Sequence, residues 1–206
     1  MNSLSAISTW FVESGITPQT SESDAKYLRF FNATLMLFGL AQLPILSLLV
    51  VLELWSQLLV NLTALGLCGL GFILNRGGRH LTAKVLVIAV VNANTAYFAV
   101  IMGSSTPAHF WLIPMAVLGL LVFKPAERSY MATLVGLSMI SFLILEFVYL
   151  DLEPIVRHLE DPNEALRAAQ ISTVFAILLT LTLVGMMHRR FSHSETALSQ
   201  EKAQSE

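Results

Sequence analysis

Residues 57–102 read QLLVNLTALGLCGLGFILNRGGRHLTAKVLVIAVVNANTAYFAVIM. Two apolar runs, Gln57–Leu74 and Leu81–Met102, stand either side of Asn75-Arg76-Gly77-Gly78-Arg79. A helix needs about 20 apolar residues to cross roughly 30 Å of hydrocarbon at 1.5 Å per residue, and each run has about that length. The segment between them joins a glycine turn signal to two cations. The stretch therefore predicts a hairpin of two membrane-crossing helices. Each run also carries one face of small and weakly polar residues at helical spacing. In the first it is Asn61, Ala64, Cys68, Gly71 and Asn75; in the second, Ala89, Asn92, Ala96, Ala99 and Gly103. Contact faces between helices in lipid favour such residues, so the hairpin is expected inside the bundle, against later spans.

The rest of the chain follows the same pattern. Of 206 residues, 55% are apolar and 13% charged, and mean hydropathy is +0.68. A soluble domain carries roughly 25% charge, so a soluble enzyme, a nucleic-acid binder and a disordered chain are all excluded. The net charge of −2 offers no field to recruit nucleic acid. Cys68 is the single cysteine and has no internal disulfide partner. Further runs lie at Phe30–Leu52, His109–Phe123, Tyr130–Leu150 and Ala168–Met187. The fold class expected is all-α: a polytopic membrane protein, a six-transmembrane-helix bundle with a cytoplasmic exit helix. His109–Phe123 is the short member, with the length of a buried or re-entrant element as much as of a full span. In the later spans Ala132 with Gly136, and Thr173, Ala176 and Thr180, offer further contact residues.

Charge placement orients the bundle. With the N-terminus inside, Lys26, Arg29, Arg76, Arg79, Lys84, Lys124, Arg128, Arg189, Arg190 and Lys202 are cytoplasmic, leaving only Arg157 and Arg167 outside. Short cytoplasmic loops carry the Lys/Arg excess, so both termini are expected in the cytoplasm. Five spans would break the alternation. The divisions expected are 1–27, a cytoplasmic amphipathic segment; 28–187, the transmembrane domain; and 188–206, a cytoplasmic signalling helix. The first contains a short helix, Leu4–Val12, with Leu4, Ile7, Trp10 and Phe11 on one face, ended by Gly15-Ile16-Thr17-Pro18. Its aromatic face suits the membrane interface, and Ser21 with Asp24 is placed to cap the next helix.

Catalytic signatures are missing: no glycine-rich phosphate loop, no His-Glu-x-x-His and no cysteine pair. Transporters place charge near the midplane, and here the only acid within a predicted span is Glu146, near its outer end, while Lys84 sits at the inner end of Leu81–Met102. Transport is disfavoured. Asn92 and Asn94, with Glu146, are the candidate lining of a pocket for a lipid-like or quinone-like ligand. Histidines supply the second candidate site. His80 and His188 fall at inner span ends, whereas His109 and His158 fall outside. Imidazole ligates zinc, copper and haem iron, so His109 and His158 with Glu160 or Asp161 would form an outer divalent-metal site, and histidines such as His80 and His188 paired across helices a haem site. The histidines lack short ligand spacing, and ordinary interfacial side chains are the simpler reading. The acidic loop 151–167 reads as a solvated cap.

Beyond Met187 no Pro or Gly interrupts the chain, so the last span continues as a helix. Val184, Phe191 and Leu198 recur every seven residues, one seam of a short parallel coiled coil. The run reads as a connector leading to a further module. Here the chain resembles a family. Glu195-Thr196-Ala197-Leu198-Ser199-Gln200-Glu201-Lys202-Ala203-Gln204-Ser205-Glu206 looks like the signalling helix that follows the six-span membrane domain of bacterial class III adenylate/guanylate cyclases. Trp10-Phe11 ahead of Tyr27-Leu28-Arg29-Phe30-Phe31-Asn32, the run His109-Phe110-Trp111-Leu112-Ile113-Pro114, and Phe123-Lys124-Pro125 are similar too. The motifs are short and loose, and the same layout precedes histidine kinase and diguanylate cyclase modules. The resemblance implies a membrane anchor and sensory domain, a homodimer embedded in membrane lipid, and a cytoplasmic cyclase or other output domain as partner. It implies no catalysis by these residues, because the cyclase domain with its metal-binding aspartates is not among them. A haem- or metal-binding redox protein is the alternative from a different class.

Overall fold

The computed structural model describes residues 3–51, 53–102, 108–147, 170, 174 and 177–185. All regular structure among them is helical. In chain order the helices are α1 (Ser3–Val12), α2 (Glu22–Val51), α3 (Trp55–Arg76), α4 (His80–Met102), α5 (Leu112–Val122) and α6 (Arg128–Phe147). Short 3₁₀ turns at Ala108–Trp111 and Pro125–Glu127 lead into the last two. Residues 177–185 are helical as well.

Local chemistry sets the boundaries. Ser21 accepts the Asp24 amide at 3.1 Å, and Glu22 and Asp24 face the positive end of α2. The helix therefore begins well before the apolar run at Phe30. It continues through Pro44, which removes one bond of the ladder. Gly78 ends α3 with φ +80: its amide reaches the Asn75 carbonyl and the Arg79 amide reaches Leu74. That is a Schellman cap with glycine in its left-handed position. The same pair of bonds ends α2, from Glu53 to Val50 and from Leu54 to Leu49, but there Glu53 holds the left-handed position at φ 56. After α5, Lys124 precedes proline and is extended, at ψ 160.

Four helical segments, Glu22–Val51, Trp55–Arg76, His80–Ile101 and Pro125–Phe147, are long and apolar enough to cross a membrane. α5 is not. Its 11 residues reach about 16 Å, half the hydrocarbon thickness. It nevertheless runs from one end of the bundle to the other. At one end Lys84 of α4 pairs with Glu127, just after α5. At the other, Ala99 of α4 packs with Ala108, Leu112 and Leu145. Lys84 to Ala99 is about 22 Å along α4, so α5 and its 3₁₀ turn cover the interval. Most of α5 is buried, which explains an apolar run too short for a lipid-facing span.

α4 is the central helix, packed on α3, α5 and α6, while α2 covers α3 and α5 and carries α1. The buried face of α3 is Gln57, Asn61, Ala64, Cys68, Gly71 and Asn75, the expected face with Gln57 added. Gly71 meets Val87 of α4 so closely that a Cβ there would collide with it. The outcome on α4 differs from the expectation. Ala83, Val87 and Asn94 approach α3, whereas Ala96 and Ala99 of the small-residue face pack against Leu112 and Leu145. A central helix has two contact faces, and small side chains mark only one. On α6, Ala132 is exposed and Gly136 has open space around it; the packed positions are Leu134, Ser138 and Leu145. The last helical stretch lays Leu183 and Leu179 on the core and exposes Ile177, Leu178, Leu181 and Val184.

Candidate functional site

Polar side chains inside this apolar bundle form three groups along α4. The first lies at its N-terminal end. The Schellman turn places His80 beside Asn75, with His80 Nδ1 2.7 Å from Asn75 Oδ1. Asn75 Nδ2 donates to Asn32 Oδ1 at 2.8 Å. Asn32 in turn donates both its N–H bonds, to the carbonyls of Val12 and Ser14 at 2.9 and 2.8 Å. Asn75 Oδ1 is the acceptor, so His80 Nδ1 carries the proton, and the chain of donors runs from His80 to the turn after α1. That turn fits closely: Gly15 has φ +81, and a Cβ on it would lie 2.7 Å from the Asn75 carbonyl oxygen.

Beside this chain lies an ion cluster. Lys84 is 0% exposed and donates to Glu127 Oε2 at 2.9 Å, between the rings of Tyr27 and Phe123. The same carboxylate oxygen accepts the Lys124 amide at 3.0 Å, and Lys124 Nζ reaches Asp24 at 2.7 Å. Two cations and two carboxylates thus join α2, α4 and the turn before α6. Removing one partner of a buried pair costs roughly 3–5 kcal/mol, so this end is held firmly. α1 is held there too. Phe11 stacks on Phe72 at 4.2 Å, Arg76 lies 5.3 Å over Trp10, and Arg29 bonds Glu13 at 2.8 Å. Sequence reasoning counted Lys84, Lys124 and Asp24 without pairing them. The available signal was Lys124-Pro125-Ala126-Glu127, in which an acid three residues on can bond the amide ahead of the proline.

The second group lies at mid-helix. Asn94 Nδ2 donates to Asn61 Oδ1 at 3.3 Å, and Asn61 Nδ2 donates to the Gln57 carbonyl at 2.9 Å. Asn94 Oδ1 is enclosed without a partner, as is Gln42 Oε1. Asn92 is the extreme case: its side chain is buried, and among the described residues neither Nδ2 nor Oδ1 has a partner. An unmet buried polar group costs roughly 1–3 kcal/mol.

The third group is at the far end, where His109 Nε2 lies 2.6 Å from Glu146 Oε2, with the rings of Phe110 and Phe142 beside the imidazole. The two were expected in separate sites, His109 with a metal and Glu146 with Asn92 and Asn94. They meet each other instead, 37 residues apart in sequence. Among the described residues no three His, Cys, Asp or Glu side chains cluster as metal ligands would. His158, Glu160, Asp161 and His188 lie outside the described residues, as do Phe191, Leu198 and all of 188–206. Val184 is described, 40% exposed on the outer face of the last helical stretch. No protein-family model matches the chain, and no curated protein or solved structure does either.

Proposed function

We propose that this chain is the membrane anchor and sensory domain of a bacterial receptor-type cyclase, with six spans and both termini cytoplasmic. It works as a homodimer and passes a stimulus from the lipid or the outer face through the C-terminal helix to a cytoplasmic output domain. One observation carries the reading. The last helical stretch has one face on the core, and its outer face exposes Ile177 and Val184. Those positions are in heptad register with Phe191 and Leu198, so the coiled-coil seam continues an apolar surface that already points away from the bundle. Charge sorting and the family resemblance support it further. The firmly tied Lys84 end supplies a rigid frame against which such a helix can turn or slide. A stimulus biases that motion only through its different affinity for the two arrangements.

The test joins residues 1–206 to a cyclase catalytic domain and measures cyclic nucleotide formation in membranes. Phe191→Asp with Leu198→Asp is expected to bring activity down to that of the catalytic domain alone, with loss of dimer in crosslinking. Activity indifferent to both substitutions overturns the reading.

A further inference from the structure

α4 carries a stripe of small side chains, Ala89, Ala96 and Ala99, and Asn92 stands within it at helical spacing. Ala96 and Ala99 pack toward Ala108, Leu112 and Leu145, so Asn92, one turn earlier, is on the side of α4 that faces α5 and α6. Small residues alone signify close helix packing. Asn92 adds something that packing does not need. It is 3% exposed, and its carboxamide nitrogen and oxygen both lack partners among the described residues. A carboxamide brings two N–H donors and an acceptor oxygen, and enclosed groups of this kind nearly always have partners. Asn94 cannot serve, because it turns to Asn61 on α3. The neighbouring Ile88, Ala89 and Val91 are apolar and would not compensate a charged ligand.

We propose that Asn92 anchors an interior binding site for a neutral amphiphile whose head carries an acceptor and a donor on one carbon, as a primary amide does. The ligand carbonyl accepts from Asn92 Nδ2, the ligand N–H donates to Asn92 Oδ1, and the apolar body lies along Ala89, Ala96 and Ala99. Ala96 and Ala99 pack toward Ala108, Leu112 and Leu145, so seating the apolar body requires the helices to part there. The site stands independently of any output domain.

The experiment places the full chain in phospholipid nanodiscs and follows thermal unfolding and calorimetric binding with octanamide as the probe. Wild-type protein is expected to show a saturable rise in Tm that octane and octyltrimethylammonium do not reproduce. Asn92→Leu should fold, by circular dichroism, and bind octanamide about tenfold more weakly, the loss expected for two neutral hydrogen bonds. Asn92→Gln, which keeps the carboxamide, should retain most of the affinity. No saturable response in the wild type, as when Asn92 holds an enclosed water alone, overturns the proposal. Equal affinity in wild type and Asn92→Leu does so as well.

Discussion

Two regions of α4 treat buried polarity in opposite ways. At the Lys84 end the ion pair, the two asparagines and the histidine hold one another in continuous chains that join four helices. About 12 Å further along the same helix, Asn92 is nearly as enclosed, and its carboxamide has no hydrogen-bond partner among the described residues. Both positions are polar residues in an apolar bundle, so burial alone does not distinguish them. Satisfaction does. The first group turns its hydrogen bonds and ion pairs to holding the fold, while the second carries an unmet carboxamide at a cost in stability.

Five measurements would break or sharpen that contrast, each read as unfolding free energy of the detergent- or nanodisc-held protein. Glu127→Ala leaves Lys84 buried without its carboxylate and should lose roughly 3–5 kcal/mol; a loss below about 1 kcal/mol would mean that the cluster does not hold this end. Asn75→Ala strands Asn32 Oδ1 and His80 Nδ1 together, and a loss of roughly 2–3 kcal/mol is expected. Asn92→Leu should move the other way, gaining about 1–2 kcal/mol by replacing an unmet carboxamide with an apolar group of similar volume. Destabilisation there would show that Asn92 has a structural partner. Combined with Glu127→Ala, its effect should add within about 0.5 kcal/mol, because the sites share no partner. Last, Glu53→Gly should gain about 0.5–1 kcal/mol by relieving the left-handed Glu53 that ends α2. No gain would show the turn to be unstrained.

Much of the helix layout is legible along the chain. The Gly77-Gly78 turn, the Ser21 cap and the Lys124-Pro125 break each act within a few residues, and each stands where the sequence predicts it. The buried face of α3 is legible for a related reason: one helix side with one neighbour produces one periodic pattern. That logic fails on α4, which has neighbours on several sides, and on α6, where Ala132 and Gly136 are small without being packed. The short fourth run could be read as buried or as spanning. Its burial explains its length, and the 3₁₀ turns at Ala108–Trp111 and Pro125–Glu127 carry it to Ala99 at one end and Lys84 at the other.

By itself, then, the sequence determined the apolar helical segments among the described residues, several of the turns that bound them, and which end gathers the cations. Composition and local turn chemistry suffice for that, since each acts without distant partners. Only the tertiary structure decided that His109 meets Glu146, that Asn75 meets Asn32 across 43 residues, and that the Asn92 carboxamide finds no hydrogen-bond partner among the described residues. A helical period shows which side of a segment is turned inward; what waits there is set by the packing of other helices, which no local pattern encodes.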